Sequence, residues 1–203
     1  VLQREDALRQ ASIRANALIR EFVNDTSGSE FVKELQGKVT FDFRKDASNK
    51  RLLELINKTN QCNLNGVRIS EGEWMRHLAD PASFVMSVSY EDKFGPLGVI
   101  AVVAGRRSLR RLEISAWVMS CRAFSRQVEF HTLEHLFQAA EIDDILLCYQ
   151  PTERNAPMQQ FLRLIGAMAN EKEKWVLSRD VFSQSEHELP HDVAVIEKLP
   201  RQG

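Results

Sequence analysis

Cys121 lies in the run Met119-Ser120-Cys121-Arg122, where an apolar, strand-like stretch gives way to a segment, Ser125 to Glu141, with the periodicity of an amphipathic helix. The thiolate is the reactive form of cysteine. Nearby cations and the unpaired N–H groups of a helix amino end lower the cost of making it. Arg122 and Arg126 supply the cations, and a guanidinium also matches a phosphate bidentately. The same place in a chain suits an anion by itself. The chemistry expected here is nucleophilic attack by Cys121 on an activated acyl group, with N–H groups or an amide side chain stabilising the oxyanion. The alternative is a small core cysteine at a strand end.

Other residue types nearby fit the same chemistry. Glu129 falls one turn after Arg126, positioned to pair with it or to orient the surroundings of Cys121. His131 and His135, four apart and placed on the polar edge of the helix, are candidates for a base or a metal pair. No third ligand is signalled, so no metal site is expected. Asn57, Lys58, Thr59, Asn60, Gln61 and Asn63 form an amide-dense run at a helix end, able to receive hydroxyls, amides or an oxyanion, or simply to cap the helix. Asp92 either orients a catalytic group or makes the turn before Gly95. Thr152 and Asn155 fit the cap of a following helix whose end can also face ligand.

These residues must be held by a framework, and the chain is long enough to build one. Its 203 residues suffice for one well-buried core plus a helical extension. A formal net charge of −1 argues against bulk attraction to nucleic acid. No apolar run approaches the roughly 20 residues that cross a bilayer. Three cysteines without a CxxC pair fit a reducing compartment, so a cytoplasmic domain is expected.

Glu5 to Val23 carries Leu8, Ala11, Ala15, Leu18 and Phe22 at helical steps, and Asn24 to Gly28 stops it. Lys38 to Arg44 alternates like a half-buried strand. Asn49 is placed to cap a helix reaching about Asn60, and Ser70 with Glu73 spells a capping box for a helix to Leu78. Phe84 to Tyr90, Gly98 to Val103 and Arg111 to Met119 read as strands, with a turn at Gly95-Pro96. Ile145 to Tyr149 reads as a buried strand. Asn155 opens a helix to about Gly166, with Pro157 in its first turn. Trp175 to Ser178 and Val193 to Ile196 are short strands around a polar loop. The sum is an α/β (α+β) fold, a mixed central sheet flanked by helices. The expected division is an N-terminal linker helix over residues 1–28 and the remaining domain over 29–203.

Four segments, Asn57 to Asn63, Asp92 to Gly98, Ser120 to Glu129 and Pro151 to Asn155, together resemble the C-terminal region of FkbH-type proteins, which supply three-carbon units to polyketide assembly lines. The resemblance runs from about Glu5 to about Gly166. It implies a GNAT-like acyltransferase domain, fused in the full-length protein to a haloacid-dehalogenase-type phosphatase domain whose DxD motif this chain lacks. It further implies that Cys121 takes a glyceryl group from 1,3-bisphosphoglycerate as a thioester and delivers it to an acyl carrier protein. The carrier would supply the 4′-phosphopantetheine, and no cofactor would be tightly bound. Neither nucleic acid nor membrane is an expected partner.

The chain also departs from its pattern. FkbH-type proteins usually keep glycine where Ser125 and Gln127 stand and an aromatic residue at Cys62. Acetyltransferases that use coenzyme A cradle its pyrophosphate on such glycines, because backbone N–H groups then approach closely. They also often place a tyrosine where this chain has Leu162. Two alternatives follow: a non-catalytic GNAT-like module that docks the carrier protein, and a coenzyme A-dependent acetyltransferase.

Overall fold

The computed structural model describes residues 32–108, 110–120, 123, 126–169, 174–184 and 189–199. The helix expected over Glu5–Val23, and with it the linker 1–28, lies outside the described residues, as do Cys121, Arg122 and Ser125.

Alternation at Lys38 produces strand β1 (Lys38–Asp42), with Val39 and Phe41 turned inward. Helix α1 (Lys50–Lys58) buries Leu52, Leu55 and Ile56 and ends two residues earlier than its periodicity suggests. Asn49 occupies its N-cap position without a side-chain cap bond. Helix α2 (Glu71–Ala79) starts with the full capping box: the Glu73 N–H donates to Ser70 Oγ, and the Ser70 N–H donates to Glu73 Oε2 at 2.8 Å.

The centre of the sheet is a meander, β2 (Ser83–Asp92), β3 (Gly95–Ser108) and β4 (Arg111–Met119). Its turn falls at Lys93 and Phe94, so Gly95 and Pro96 already belong to β3; Gly95, at φ 116°, takes a conformation that glycine tolerates. Helix α3 (Val128–Ala140) starts three residues later than expected, because Gln127 is left-handed (φ 59°, ψ 16°) and breaks the helical run. Then come β5 (Asp144–Leu147), α4 (Ala156–Leu164) with Pro157 in its first turn, and the two-residue β6 (Met168–Ala169). Strand β7 (Trp175–Ser178) leads directly into α5 (Arg179–Gln184), a helix where the sequence reads as polar loop, and β8 (Asp192–Glu197) closes the chain.

The eight strands form one mixed sheet in the order β6-β7-β5-β4-β3-β2-β1-β8, antiparallel except for the parallel β4–β5 and β1–β8 pairs. Helices α1 and α2 cover one face with Trp74, Leu78, Val85, Val102 and Val118. Helices α3 and α4 cover the other, over Phe41, Phe84, Met86, Trp117 and Ile145. Because both faces are covered, β2 is buried nearly end to end and its alternation carries no solvent face.

One irregularity positions the site. In the β3–β4 ladder Ala104 pairs with Ala116 and Gly105 with Ile114, so Ser115 is an extra residue. Such a bulge flips the side-chain alternation and bends the strand. Leu112 and Ile114 face α3, whereas beyond Ser115 that face passes to Trp117 and Met119. Gly105 is required there, since a Cβ would run into the Glu113 carbonyl oxygen. The bent β4 leaves β5: their ladder stops at Ile114–Leu147, and the Cys148 N–H makes the last bond to the Ile114 carbonyl at 2.9 Å.

Candidate active site

The gap opened between β4 and β5 is filled by the chain itself. The Leu64 N–H donates to Trp117 O at 2.9 Å on one side, and the Gln150 N–H donates to Leu64 O at 3.2 Å on the other. Further out, the Met119 N–H donates to Cys62 O at 2.8 Å and Asn63 bridges to Val118. Residues 62–65 thus act as a short interposed strand that satisfies backbone groups the splay would leave bare.

Three asparagines pin it. Asn63, buried, donates from Nδ2 to Thr59 O at 2.9 Å and accepts at Oδ1 from the N–H groups of Asn65 (3.1 Å) and Gly66 (2.8 Å). Asn65 Nδ2 reaches both Ser115 O (2.8 Å) and Cys148 O (3.1 Å), spanning the two strands that separate. Asn155 Nδ2 donates to Asn63 O (3.0 Å) and Gln150 O (2.8 Å), and its Oδ1 accepts from the Thr152 N–H at 2.7 Å. Asn155 therefore stands at the N-cap position of α4 while its side chain ties loops together instead of capping. Thr152 Oγ1 accepts from the Asn155 N–H at 3.1 Å and holds the turn.

The rest of the amide run is similarly engaged. Asn57 binds Ile69 twice, donating to its carbonyl (2.8 Å) and accepting from its N–H (2.9 Å). Arg68 donates to Ile56 O and Thr59 O, the open carbonyls at the end of α1, and to Asn60 Oδ1. Lys58 is exposed and pairs with Glu54 at 3.4 Å, while Gln61 is half-buried. Side chains expected to face a ligand thus build the loop that supports the end of β4.

Past Met119 the Ser120 N–H donates to Ile100 O, the Ala123 N–H to Ser120 O, and the Arg126 N–H to Ala123 O. Arg126 pairs with Asp92, at the end of β2, at 3.4 Å, the aspartate almost fully buried, and its guanidinium lies over the Tyr90 ring at 5.3 Å. Asp92 also makes its expected turn, accepting from the Phe94 N–H at 2.9 Å.

Glu129 and His131 differ from their sequence-based places. Val128 to Leu133 are buried without interruption, because the first turns of α3 are enclosed on all sides. Glu129 is 4% exposed and Oε2 has no hydrogen-bond partner among the described residues, so no surface pair with Arg126 exists. Desolvation pushes its carboxyl up to about 8, above neutrality. His131 is 5% exposed rather than on a polar edge; burial first, then His191 and His135, pushes it down to about 4. His135 stacks on Phe41 with ring centroids 4.2 Å apart, and burial lowers its pKa too.

His191 and Gly37, which no local pattern marks, complete this region. His191, 8% exposed, packs edge-on against His131 (centroids 5.0 Å) and Tyr90 (5.8 Å), and burial followed by the Arg126 charge pushes it down to about 4. Gly37 permits this packing, since a Cβ there would lie 2.5 Å from Tyr90 Oη and 2.6 Å from His191 Cδ2. Cys148 differs from a nucleophile in every respect: its thiol donates to Glu113 Oε1 at 3.3 Å, and burial with that carboxylate pushes it up to about 11. Among the described residues no cluster of three or more His, Cys, Asp or Glu is arranged to hold a metal ion, and no helix is long and apolar enough to cross a membrane.

The fold, an eight-stranded mixed sheet flanked by helices, is similar to that of solved structures that include a GNAT protein. FdhC, described as a nucleotide-linked sugar GNAT and solved in its apo form, superposes with a TM-score of 0.50 at 11% identity, covering 74% of this chain and 93% of that one. A domain from Methanocaldococcus jannaschii DSM 2661 gives 0.50 at 8% identity, over 69% and 96% of the two chains. The ribosomal-protein-S18-alanine N-acetyltransferase from Escherichia coli gives 0.48 at 8% identity, over 68% and 90%. At such identities the likeness is one of fold. No protein-family model matches the chain, and no curated protein matches it in sequence.

Proposed function

We propose that this domain is an acyltransferase in which Cys121 carries a glyceryl group from 1,3-bisphosphoglycerate to the phosphopantetheine thiol of an acyl carrier protein. One observation carries the reading. The four segments that resemble FkbH-type proteins, scattered from residue 57 to residue 155, are joined in pairs by tertiary contacts, and the first also bonds the end of β4. Asn155 bonds Asn63, Arg126 pairs with Asp92, and Cys62 bonds Met119, two residues before Cys121. Segments that serve only their own turns have no reason to contact one another across such separations.

In this reaction the Cys121 thiolate attacks the acyl-phosphate carbonyl, the C–O bond to phosphate breaks, and inorganic phosphate leaves. The carrier thiol then attacks the thioester carbonyl, loses its proton, and expels the Cys121 thiolate. Arg126, already balanced by Asp92, and Arg122 are assigned to the substrate phosphates. In α3, neutral His131 and protonated Glu129 are the groups assigned to exchange protons with the reacting thiols. Removal of the second phosphate is assigned to a phosphatase domain in the same full-length protein.

The coenzyme A reading loses support at the start of α3, where Gln127 occupies a left-handed position and its Cβ would crowd a pyrophosphate cradled there.

The test is intact-protein mass spectrometry after incubation with 1,3-bisphosphoglycerate. A 3-phosphoglyceryl adduct on Cys121 that transfers to a carrier protein is expected from this domain alone, and Cys121→Ala removes it. The same adduct on another residue of Cys121→Ala refutes the assignment.

A further inference from the structure

Buried polar atoms are almost always hydrogen-bonded, and a lone exception costs about 1–3 kcal/mol. Here several exceptions crowd together. His131 Nε2 and both ring nitrogens of His191 are buried without a hydrogen-bond partner among the described residues, and Tyr90 Oη beside them meets the side chains of Arg126 and Asp92. They come from three separate elements: α3, the segment leading into β8, and β2. Their rings contact one another, and Arg126 borders them. A fold that merely needed filler would place Leu or Phe at these positions.

We propose that Tyr90, His131 and His191, with Arg126 at the rim, form a binding site for a phosphoryl group, either a phosphate monoester or inorganic phosphate. The inference rests on the reading above for the identity of the donor. A phosphate offers acceptor oxygens in several directions, and each imidazole and the phenol has a hydrogen to aim at one. Arg126 contributes a forked donor.

The charges facing the site decide how it works. Arg126 is balanced by Asp92; Glu134 approaches His131 Nδ1 at 3.9 Å; His135 lies one turn further along α3. Without ligand the histidines are neutral, held so by burial, with His191 adding to the effect on His131 and the Arg126 charge to that on His191. A dianion reverses that preference, so binding draws a proton from solvent onto an imidazole and forms a charge-assisted bond. A neutral amide or hydroxyl ligand would bind without any such proton.

The experiment is calorimetric titration of the full chain with inorganic phosphate and with 3-phosphoglycerate, at pH 7 in two buffers of different ionisation enthalpy. The expected result is binding accompanied by net proton uptake, weakening as pH rises. His191→Gln and Tyr90→Phe, checked for folding by circular dichroism, should each weaken binding by about tenfold or more, whereas Cys148→Ala should bind as the parent does. Stronger binding of 3-phosphoglycerate identifies a monoester site, and equal binding a site for free phosphate. Absence of binding at millimolar ligand, binding without proton uptake, or folded variants that bind unchanged would each overturn the proposal. Phosphate binding without a Cys121 adduct leaves this site standing and removes the glyceryl-transfer reading. A Cys121 adduct formed at unchanged kcat/KM in both variants does the reverse.

Discussion

Asn155 and Asn63, ninety-two positions apart, are joined by a buried 3.0 Å bond from the Asn155 side-chain amide to the Asn63 carbonyl. That bond locks the interposed loop 62–65 against the start of α4, so the end of β4 rests on a support built from distant amides.

Replacing Asn155 with alanine strands the carbonyls of Asn63 and Gln150 and the N–H of Thr152. A loss of about 2–4 kcal/mol is expected in urea unfolding. Asn155→Asp should also destabilise, because a carboxylate cannot donate to those carbonyls; a variant as stable as the parent would show that the loop holds without this staple.

Gly105→Ala should be among the most damaging small substitutions in the chain. The added methyl meets backbone, not a side chain that can swing away, and the bulge at Ser115 cannot persist. A cost of about 3 kcal/mol or more, or failure to accumulate folded protein, is expected.

Gln127 and Glu141 flank α3 in left-handed conformations, at φ 59° and 51°. Such backbone costs a non-glycine residue about 1 kcal/mol or more, part of which glycine returns as unfolded-chain entropy. Glu141→Gly and Gln127→Gly should therefore each raise the urea midpoint slightly, by up to about 1 kcal/mol in stability.

The carboxyl of Glu129 fixes one sign of the pH dependence. Its folded value, about 8, exceeds the ordinary 4.5, so the folded state binds more protons between those values. Its contribution is complete below pH 4.5 and declines as pH rises towards 8. Glu129→Gln should remove this slope and be more stable than the parent at pH 8; chemical denaturation at pH 5 and pH 8 measures both.

His131 and His191 act in the opposite direction. With folded values near 4 against an ordinary 6.5, they leave the unfolded state binding more protons between pH 4 and 6.5. Stability should fall as pH drops from 6.5 to 4, and His191→Gln should flatten that limb, as followed by thermal unfolding. An unchanged limb in that variant would mean that His191 is not held neutral.

The sequence alone determined the local elements. Its 3.6-residue and two-residue periods marked α1, α2, α3 and the central strands, and Ser70 with Glu73 fixed the start of α2, because each depends on residues within a turn or a pleat of one another. The amide-rich stretch at 57–63 was also visible as unusual, and Asp92, Arg126 and Asn155 were marked as polar residues with a task. Their partners were decided by tertiary structure. The Ser115 bulge arises in the register of β4 against β3, which no local pattern encodes, and it opens the gap that Asn63, Asn65 and Asn155 close. Likewise, helical periodicity put His131 on a polar edge and Glu129 in a surface pair, because the pattern records polarity and not enclosure. Only the packing of α3 against the sheet, α4 and the His191 segment removes both from water and sets their protonation.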